Sequence, residues 1–178
     1  MHIKLALLLV CLTALSLPAL GDQMYIYTGN DFVSPPSPYT ATSSIDGYFI
    51  TATPLTDSMP LQVVAFESYS FTDGIQTLTN LNSTDYSILF EVSTDPNGNI
   101  LTWNIFVGSL ANSNSFINTT TTYDQDQVGL YQGPGTVYAQ NADPGKWTTA
   151  TPEPSSLTLL GTGILGAAGL VRRRLGRK

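Results

Sequence analysis

Acidic side chains are the first residues in this chain whose type and spacing suggest chemistry. Asp124 and Asp126 alternate along the sequence, so on a strand their carboxylates would point to the same side. Calcium binds about six to eight oxygen ligands, which makes this pair a weak candidate for a metal site, with a solvated loop as the alternative. Asp95, Asn97 and Asn99 imitate the start of a calcium loop, but glycine falls at the fourth position instead of the sixth, which indicates a turn. We predict no metal site and no cofactor.

Sugar hydrolysis is the other chemistry that acids could perform, since glycosidases use two carboxylates roughly 5–9.5 Å apart. Glu67 and Glu91 are candidates only because both stand in predicted strands, and nothing in the sequence brings them together. Aromatic rings could instead stack on sugars, and the chain contains nine tyrosines and two tryptophans. For Trp103, packing in the core is a better explanation than stacking on sugars. Trp147 is expected to pack as a lid near the end of the domain. We predict no catalytic residues.

The N-terminal segment at residues 1–21 is typical of a secretory signal peptide. A polar start and an apolar core are followed by small residues that place cleavage between Gly21 and Asp22. The single histidine and the single cysteine of the chain, His2 and Cys11, both lie in this segment. The mature protein would therefore lack the residues for Ser-His-Asp or Cys-His catalysis and for cysteine- or histidine-bound zinc. We predict that the protein is not an enzyme.

The C-terminal end of the chain combines a short polar motif, an apolar run and a basic tail. The apolar run, residues 157–171, would span roughly 22 Å as a helix, which is short for a bilayer core of about 30 Å but sufficient with its flanking residues. Basic residues beside a membrane span stay on the cytoplasmic side, so the preceding domain is expected outside. The polar motif and the start of the tail are Pro152, Glu153, Pro154, Arg172, Arg173 and Arg174.

This three-part order resembles the PEP-CTERM protein-sorting domain of bacterial exported proteins. The resemblance rests on the Pro-Glu-Pro motif at 152–154, the apolar run at 157–171 and the arginine cluster at 172–174. It implies that an integral-membrane cysteine peptidase, exosortase, recognises and processes the tail. It also implies an association with exopolysaccharide or biofilm matrix. The expected partners are therefore exosortase and the membrane, with exopolysaccharide as a further candidate.

The charge of the exported region limits its partners. Residues 22–151 contain twelve acids and one base, Lys146, which gives a formal charge of −11, whereas the whole chain carries −6. A surface this acidic repels nucleic acid and anionic lipid. We predict no nucleic-acid partner.

Alternation of apolar and polar residues predicts strands throughout the exported region. The strongest pattern is a β-hairpin over about residues 86–107, whose turn contains the Asn97-Gly98 pair. Residues 112–122 are expected to form a long loop or a weak edge strand, and no segment has the pattern of a capped helix. Further strands are predicted near residues 24–28, 45–53, 61–71, 75–79, 127–132 and 135–140.

Many short strands with turn signals predict an all-β fold, an antiparallel β-sandwich followed by one C-terminal transmembrane helix. Jelly-roll connectivity and a small barrel are the alternatives. The function expected is that of an exported, exosortase-sorted surface or extracellular-matrix protein whose domain is structural or adhesive. The alternative is a carbohydrate-binding module, less favourably a hydrolytic one, on the same tail. The predicted segments are a signal peptide at 1–21, the sandwich at 22–147, a linker at 148–156, the transmembrane helix at 157–171 and the cytoplasmic tail at 172–178.

Overall fold

The structure, a computed structural model, describes residues 21–150, without the side chains of residues 84–87. The predicted signal peptide up to residue 20, the linker beyond residue 150, the transmembrane helix and the basic tail lie outside the described residues. The described part contains eleven strands and no helix, as the all-β prediction requires. The strands are β1 (Gln23–Thr28), β2 (Asp46–Thr51), β3 (Gln62–Val63), β4 (Ser68–Thr72), β5 (Thr77–Thr79), β6 (Ser83–Thr94), β7 (Ile100–Ser109), β8 (Phe116–Thr120), β9 (Gln125–Gln132), β10 (Gly135–Asn141) and β11 (Lys146–Ala150).

These strands form two antiparallel sheets. The five-stranded sheet has the order β11-β1-β2-β4-β5, and the six-stranded sheet has the order β10-β9-β8-β7-β6-β3. The consecutive strands β6 to β10 lie side by side as a meander, because short turns join each pair. A jelly roll is built from two Greek keys, so its connectivity is not the one adopted here, and the described strands do not close into one barrel.

The predicted hairpin is confirmed as β6 and β7, which pair with Val92 opposite Trp103 and Phe90 opposite Ile105. One detail differs from simple alternation. Between the pairs Ser93–Thr102 and Thr94–Ile100 the register shifts, so Leu101 is an extra residue in β7. An extra residue in one strand moves the side chains beyond it to the opposite face of the sheet from the one that simple alternation indicates. Leu101 is consequently 61% exposed, although its spacing from Trp103 would place it inside.

Three predicted elements are wrong in part. The segment at 112–122 is not a loop or an edge strand, because β8 lies inside the six-stranded sheet between β7 and β9. The strand predicted at 61–71 is interrupted, with β3 in one sheet and β4 in the other. The segment predicted as a linker from residue 148 begins as strand, since Thr148 to Ala150 pair with β1. In each place cross-strand pairing decides the structure, and local composition does not report it.

Aromatic side chains from both sheets fill the core. Phe90 of the six-stranded sheet packs against Phe49, Tyr69 and Phe71 of the five-stranded sheet, with centroid distances of 5.6, 5.1 and 6.0 Å. Trp147 on β11 contacts Phe49 at 5.3 Å. Burying one such ring contributes about 1.5–3 kcal/mol, so these contacts hold the two sheets together.

Candidate functional site

The structure separates the acids that the sequence pairs as a weak metal site. Asp124 is exposed in the turn before β9, with a backbone φ of 45°, and Asp126 on β9 is completely buried. Their carboxylates therefore do not share one side of a strand, because Asp124 precedes the strand. Asp124 lines a shallow surface depression in which it is the one carboxylate. Among the side chains that the structure describes, residues 21–83 and 88–150, no three His, Cys, Asp or Glu form a cluster suited to a metal ion.

The other acids considered for chemistry are also apart. Glu67 is exposed just before β4, whereas Glu91 lies on β6 in the other sheet and accepts a hydrogen bond from the Asn104 amide at 3.1 Å. Asp95 serves the hairpin turn. Its carboxylate accepts hydrogen bonds from the side-chain amide of Asn99 at 3.0 Å and from the backbone N–H groups of Asn99 and Asn97, and these bonds lower the pKa of Asp95.

Asp126 is instead the centre of a buried network between the sheets. The Tyr27 hydroxyl, from β1, donates to both carboxylate oxygens at 2.7 and 2.8 Å. The same hydroxyl accepts a hydrogen bond from the Gly145 N–H at 2.6 Å. On the six-stranded sheet, the Trp103 indole N–H donates to the Thr119 hydroxyl at 2.9 Å, and Thr119 stands opposite Asp126 in the ladder. The network joins β1, β7, β8, β9 and the loop before β11.

Burial dominates the ionisation of this acid. The pKa of Asp126 is raised to about 6, chiefly by the loss of water around the carboxylate and to a smaller extent by the nearby charge of Asp143. Hydrogen bonds from Thr119, Tyr27 and the Gly145 backbone act in the opposite direction by stabilising the anion. Burial and the adjacent carboxylate also raise the pKa of Tyr27, so its hydroxyl remains a donor at neutral pH.

Gly145 is required for this network because two chain segments approach closely. A Cβ at residue 145 would lie 1.9 Å from the carbonyl oxygen of Thr28 and 2.5 Å from the Cα of Gly29. Both atoms belong to the backbone, so neither moves easily. Glycine alone lets the loop bring its N–H to Tyr27 and lets β11 start in register with β1.

A second buried carboxylate, Asp73, has an equivalent arrangement that the sequence reading did not single out. It accepts hydrogen bonds from the Tyr39 hydroxyl at 2.7 Å and from the backbone N–H of Gln76 at 2.8 Å. The Gln76 amide donates to the same carboxylate and to the Gly129 carbonyl in the other sheet. Asp73 followed by glycine is a turn signal, but only the fold shows that this turn also links the sheets.

The outer face of the six-stranded sheet carries a group of accessible aromatic rings. Phe106 and Phe116 stack with their centroids 5.3 Å apart, and Tyr138 lies 6.2 Å from Phe116. The two phenylalanines are half-buried and Tyr138 is 51% exposed. We name these three rings the outer aromatic strip. Phe116 lies over Gly129, where an added Cβ would stand 2.5 Å from the ring, so glycine gives the ring its place on the sheet.

Amide side chains border the outer aromatic strip. Cross-strand register places Asn118 beside Phe106, Gln127 beside Asn118, and Gln140 beside Gln127. Among the residues that the structure describes, the side-chain amides of Asn118 and Gln127 have no hydrogen-bond partner. Sequence reasoning missed this face, although the alternation of Phe106 with Trp103 and Ile105 placed that ring outside.

The described part of the chain begins and ends at the same end of the β1–β11 ladder. Gly21 and Asp22, the predicted signal cleavage site, directly precede β1, and β11 ends at Ala150 opposite Met24. The Gln23 side chain donates to the Ala150 carbonyl at 3.0 Å. The Pro-Glu-Pro motif at 152–154 and the arginines at 172–174 follow outside the described residues.

A family model, described as the PEP-CTERM protein-sorting motif, matches residues 150–174. The chain carries a PEP-CTERM sorting motif. The motif implies export, membrane anchoring and processing by exosortase, itself a membrane protein. No curated protein and no solved structure matches the chain.

Between residues 21 and 150, the part of the chain that the structure describes, no helix is long and apolar enough to cross a membrane. The PEP-CTERM match covers the 157–171 run in which the sequence predicts the anchor, and that prediction stays untested by the described residues.

Proposed function

We propose that this PEP-CTERM protein is a non-enzymatic structural or adhesive module that exosortase delivers to the cell surface or the extracellular matrix. The signal peptide starts export, and the helix at 157–171 with Arg172, Arg173 and Arg174 holds the chain in the membrane. Exosortase then processes the tail at the Pro-Glu-Pro motif. The observation that carries this proposal is the sorting motif at residues 150–174, directly after the last strand of the domain.

The chemistry of the domain supports a non-enzymatic role. Residues 21–150 contain no histidine and no cysteine. Among the acids whose side chains the structure describes, Asp73 and Asp126 are completely buried, and each accepts a hydrogen bond from a tyrosine and interacts with backbone N–H groups. A carboxylate whose oxygens are occupied in this way links strands and is poorly placed to transfer a proton to a substrate.

The tail is tested with two tags in the full chain, one directly after Asp22 and one after Lys178. We expect the tags to separate only in cells that contain exosortase. Replacing Pro152 and Glu153 by alanine should keep both tags together in the membrane, because the motif is lost while the anchor remains. Replacing Arg172, Arg173 and Arg174 by alanine should reduce retention, since moving each arginine through the bilayer costs about 2.5–3.5 kcal/mol.

Thr149→Ala, an exposed substitution on β11 just before the motif, serves as the matched control and should be processed like the wild type. If the tags stay together with and without exosortase, and regardless of the motif, the tail is a plain membrane anchor and the sorting proposal is wrong.

The second candidate function is carbohydrate binding by the domain that this sorting tail delivers, with an exopolysaccharide as the ligand. The outer aromatic strip favours it, because accessible rings beside free amides are suited to sugars. Hydrolysis receives no such support, since Glu67 stands before β4 of the five-stranded sheet and Glu91 lies on β6 of the six-stranded sheet.

A further inference from the structure

We infer that the outer aromatic strip, with the adjoining amides of Asn118 and Gln127, is a binding face for an uncharged polysaccharide. The inference deepens the second candidate function and rests on the proposed export of the domain. The face occupies the outer side of β7 to β10, opposite the aromatic core.

The composition of the face indicates the chemistry of its ligand. Phe106, Phe116 and Tyr138 present apolar ring surface, and a sugar ring offers a complementary apolar C–H face. Sugar hydroxyls both donate and accept hydrogen bonds, as do the amides of Asn118 and Gln127. Those amides have no partner in the described part of the chain, so no intramolecular hydrogen bond must break when a ligand arrives.

The length of the face favours a polymer. The strip runs from Phe106 on β7, across β8 and β9, to Tyr138 on β10. The ring centroids of Phe106 and Phe116 are 5.3 Å apart and those of Phe116 and Tyr138 are 6.2 Å apart, so the end rings of the strip are separated by at most about 11.5 Å. This length exceeds one sugar ring and suits several consecutive sugars lying across the strands.

The charge of the domain disfavours two competing ligands, an anionic polymer and a second copy of this chain. The two cross-strand rows that contain the strip and its amides have no charged residue. The one base between residues 22 and 151, Lys146, lies on β11 of the other sheet, so an anionic polymer finds no cation on this face. Pairing of the face with a second copy would bring together two regions that each carry a formal charge of −11.

The test measures retention of the full exported chain, purified in a mild detergent, on defined polymers. The neutral probes are amorphous cellulose in pull-down and soluble xylan and β-glucan in affinity gel electrophoresis, and the anionic probe is alginate. We expect retention by at least one neutral polymer, little change on adding salt, and no retention by alginate.

Substitutions locate the face. Tyr138→Ala, Phe106→Ala and Gln127→Ala should each weaken binding roughly 2- to 12-fold, the range expected for one lost ring or hydrogen-bond contact. Tyr138→Phe should lose less than Tyr138→Ala, because the ring remains. The matched control is Tyr123→Ala, which removes a tyrosine that is 74% exposed in the turn before β9, outside the strip. It should bind like the wild type.

The inference is overturned if the wild type binds none of the neutral polymers, or if the strip substitutions leave retention unchanged while their unfolding curves match the wild type. Analytical ultracentrifugation gives a further decisive outcome. If Tyr138→Ala converts a dimer to a monomer without changing retention, the strip is a self-association surface. Processing of the tags is independent of the strip, so Tyr138→Ala should be sorted normally, and failure of sorting would leave polymer binding intact.

Discussion

The buried Asp126 carboxylate makes the stability of the domain depend on pH in a direction opposite to that of most acids. Its pKa is raised from 3.8 to about 6, mainly by burial. Below pH 3.8 the side chain is protonated in both the folded and the unfolded chain. As the pH rises the unfolded chain loses its proton first, so the folded state binds more protons and the free energy of unfolding falls. This loss occurs between pH 3.8 and about 6 and is complete above that range.

The size of this pH dependence follows from the shift in the pKa of Asp126. The full change from 3.8 to about 6 corresponds to about 3 kcal/mol of stability, of which about 2–2.5 kcal/mol is lost between pH 4 and pH 7, because at pH 4 much of the unfolded chain is already ionised. Asp126→Asn removes the titrating group and leaves the shape of the side chain nearly unchanged. We therefore expect the wild type to lose about 2–2.5 kcal/mol relative to Asp126→Asn over this interval. Asp95, whose pKa the hairpin turn lowers, contributes in the opposite direction and only below pH 3.8.

Urea unfolding of a fragment spanning residues 22–150, followed by tryptophan fluorescence from pH 4 to 7.5, measures the difference. Asp124→Asn, two residues away and exposed, is the matched control and should follow the wild-type profile. Tyr27→Phe should make the free energy of unfolding fall more steeply with pH, because the Tyr27 hydroxyl stabilises the ionised Asp126 carboxylate. At pH 7 this substitution should lower the free energy of unfolding by about 1–3 kcal/mol. A constant difference between wild type and Asp126→Asn across this pH range would refute the reasoning.

Three further predictions use the same fragment. Gly145→Ala should destabilise it by about 1–3 kcal/mol or more, because the added methyl group meets the backbone of β1, whereas Gly135→Ala, with no atom within 4 Å of the added Cβ, should change little. Phe90→Ala should cost about 3–5 kcal/mol in urea unfolding, while Leu81→Ala, 86% exposed, should stay within about 0.5 kcal/mol of the wild type. Calorimetric titration with calcium should show nothing tighter than roughly 10⁻⁴ M, and a micromolar site lost in Asp124→Ala would contradict this.

The sequence alone predicted those features that depend on neighbouring residues. The sorting motif is a short linear pattern at 150–174, so no fold is needed to recognise it. The β6–β7 hairpin is equally local, because alternation selects the strands and the Asn97-Gly98 pair places the turn. The all-β class follows from the same alternation repeated through the exported region.

Tertiary structure decided the features that depend on which strands become neighbours. The polar composition of β8 suggested a loop, yet pairing with β7 and β9 buries Thr119 and Thr120 completely inside the sheet. Leu101 faces solvent because one extra residue shifts the register, and no local pattern marks that insertion.

The environment of each acid and each surface ring was also determined by the tertiary structure. Asp124 and Asp126 alternate in sequence as a metal pair would, but Asp124 belongs to the turn before β9 and is exposed, whereas Asp126 lies on β9 and is buried against Tyr27 of the opposite sheet. Phe106, Phe116 and Tyr138 are well separated along the chain and meet only because a meander places their strands in one sheet. Where a strand is regular, local alternation indicates which face a side chain takes, but only strand order and register determine which side chains share that face.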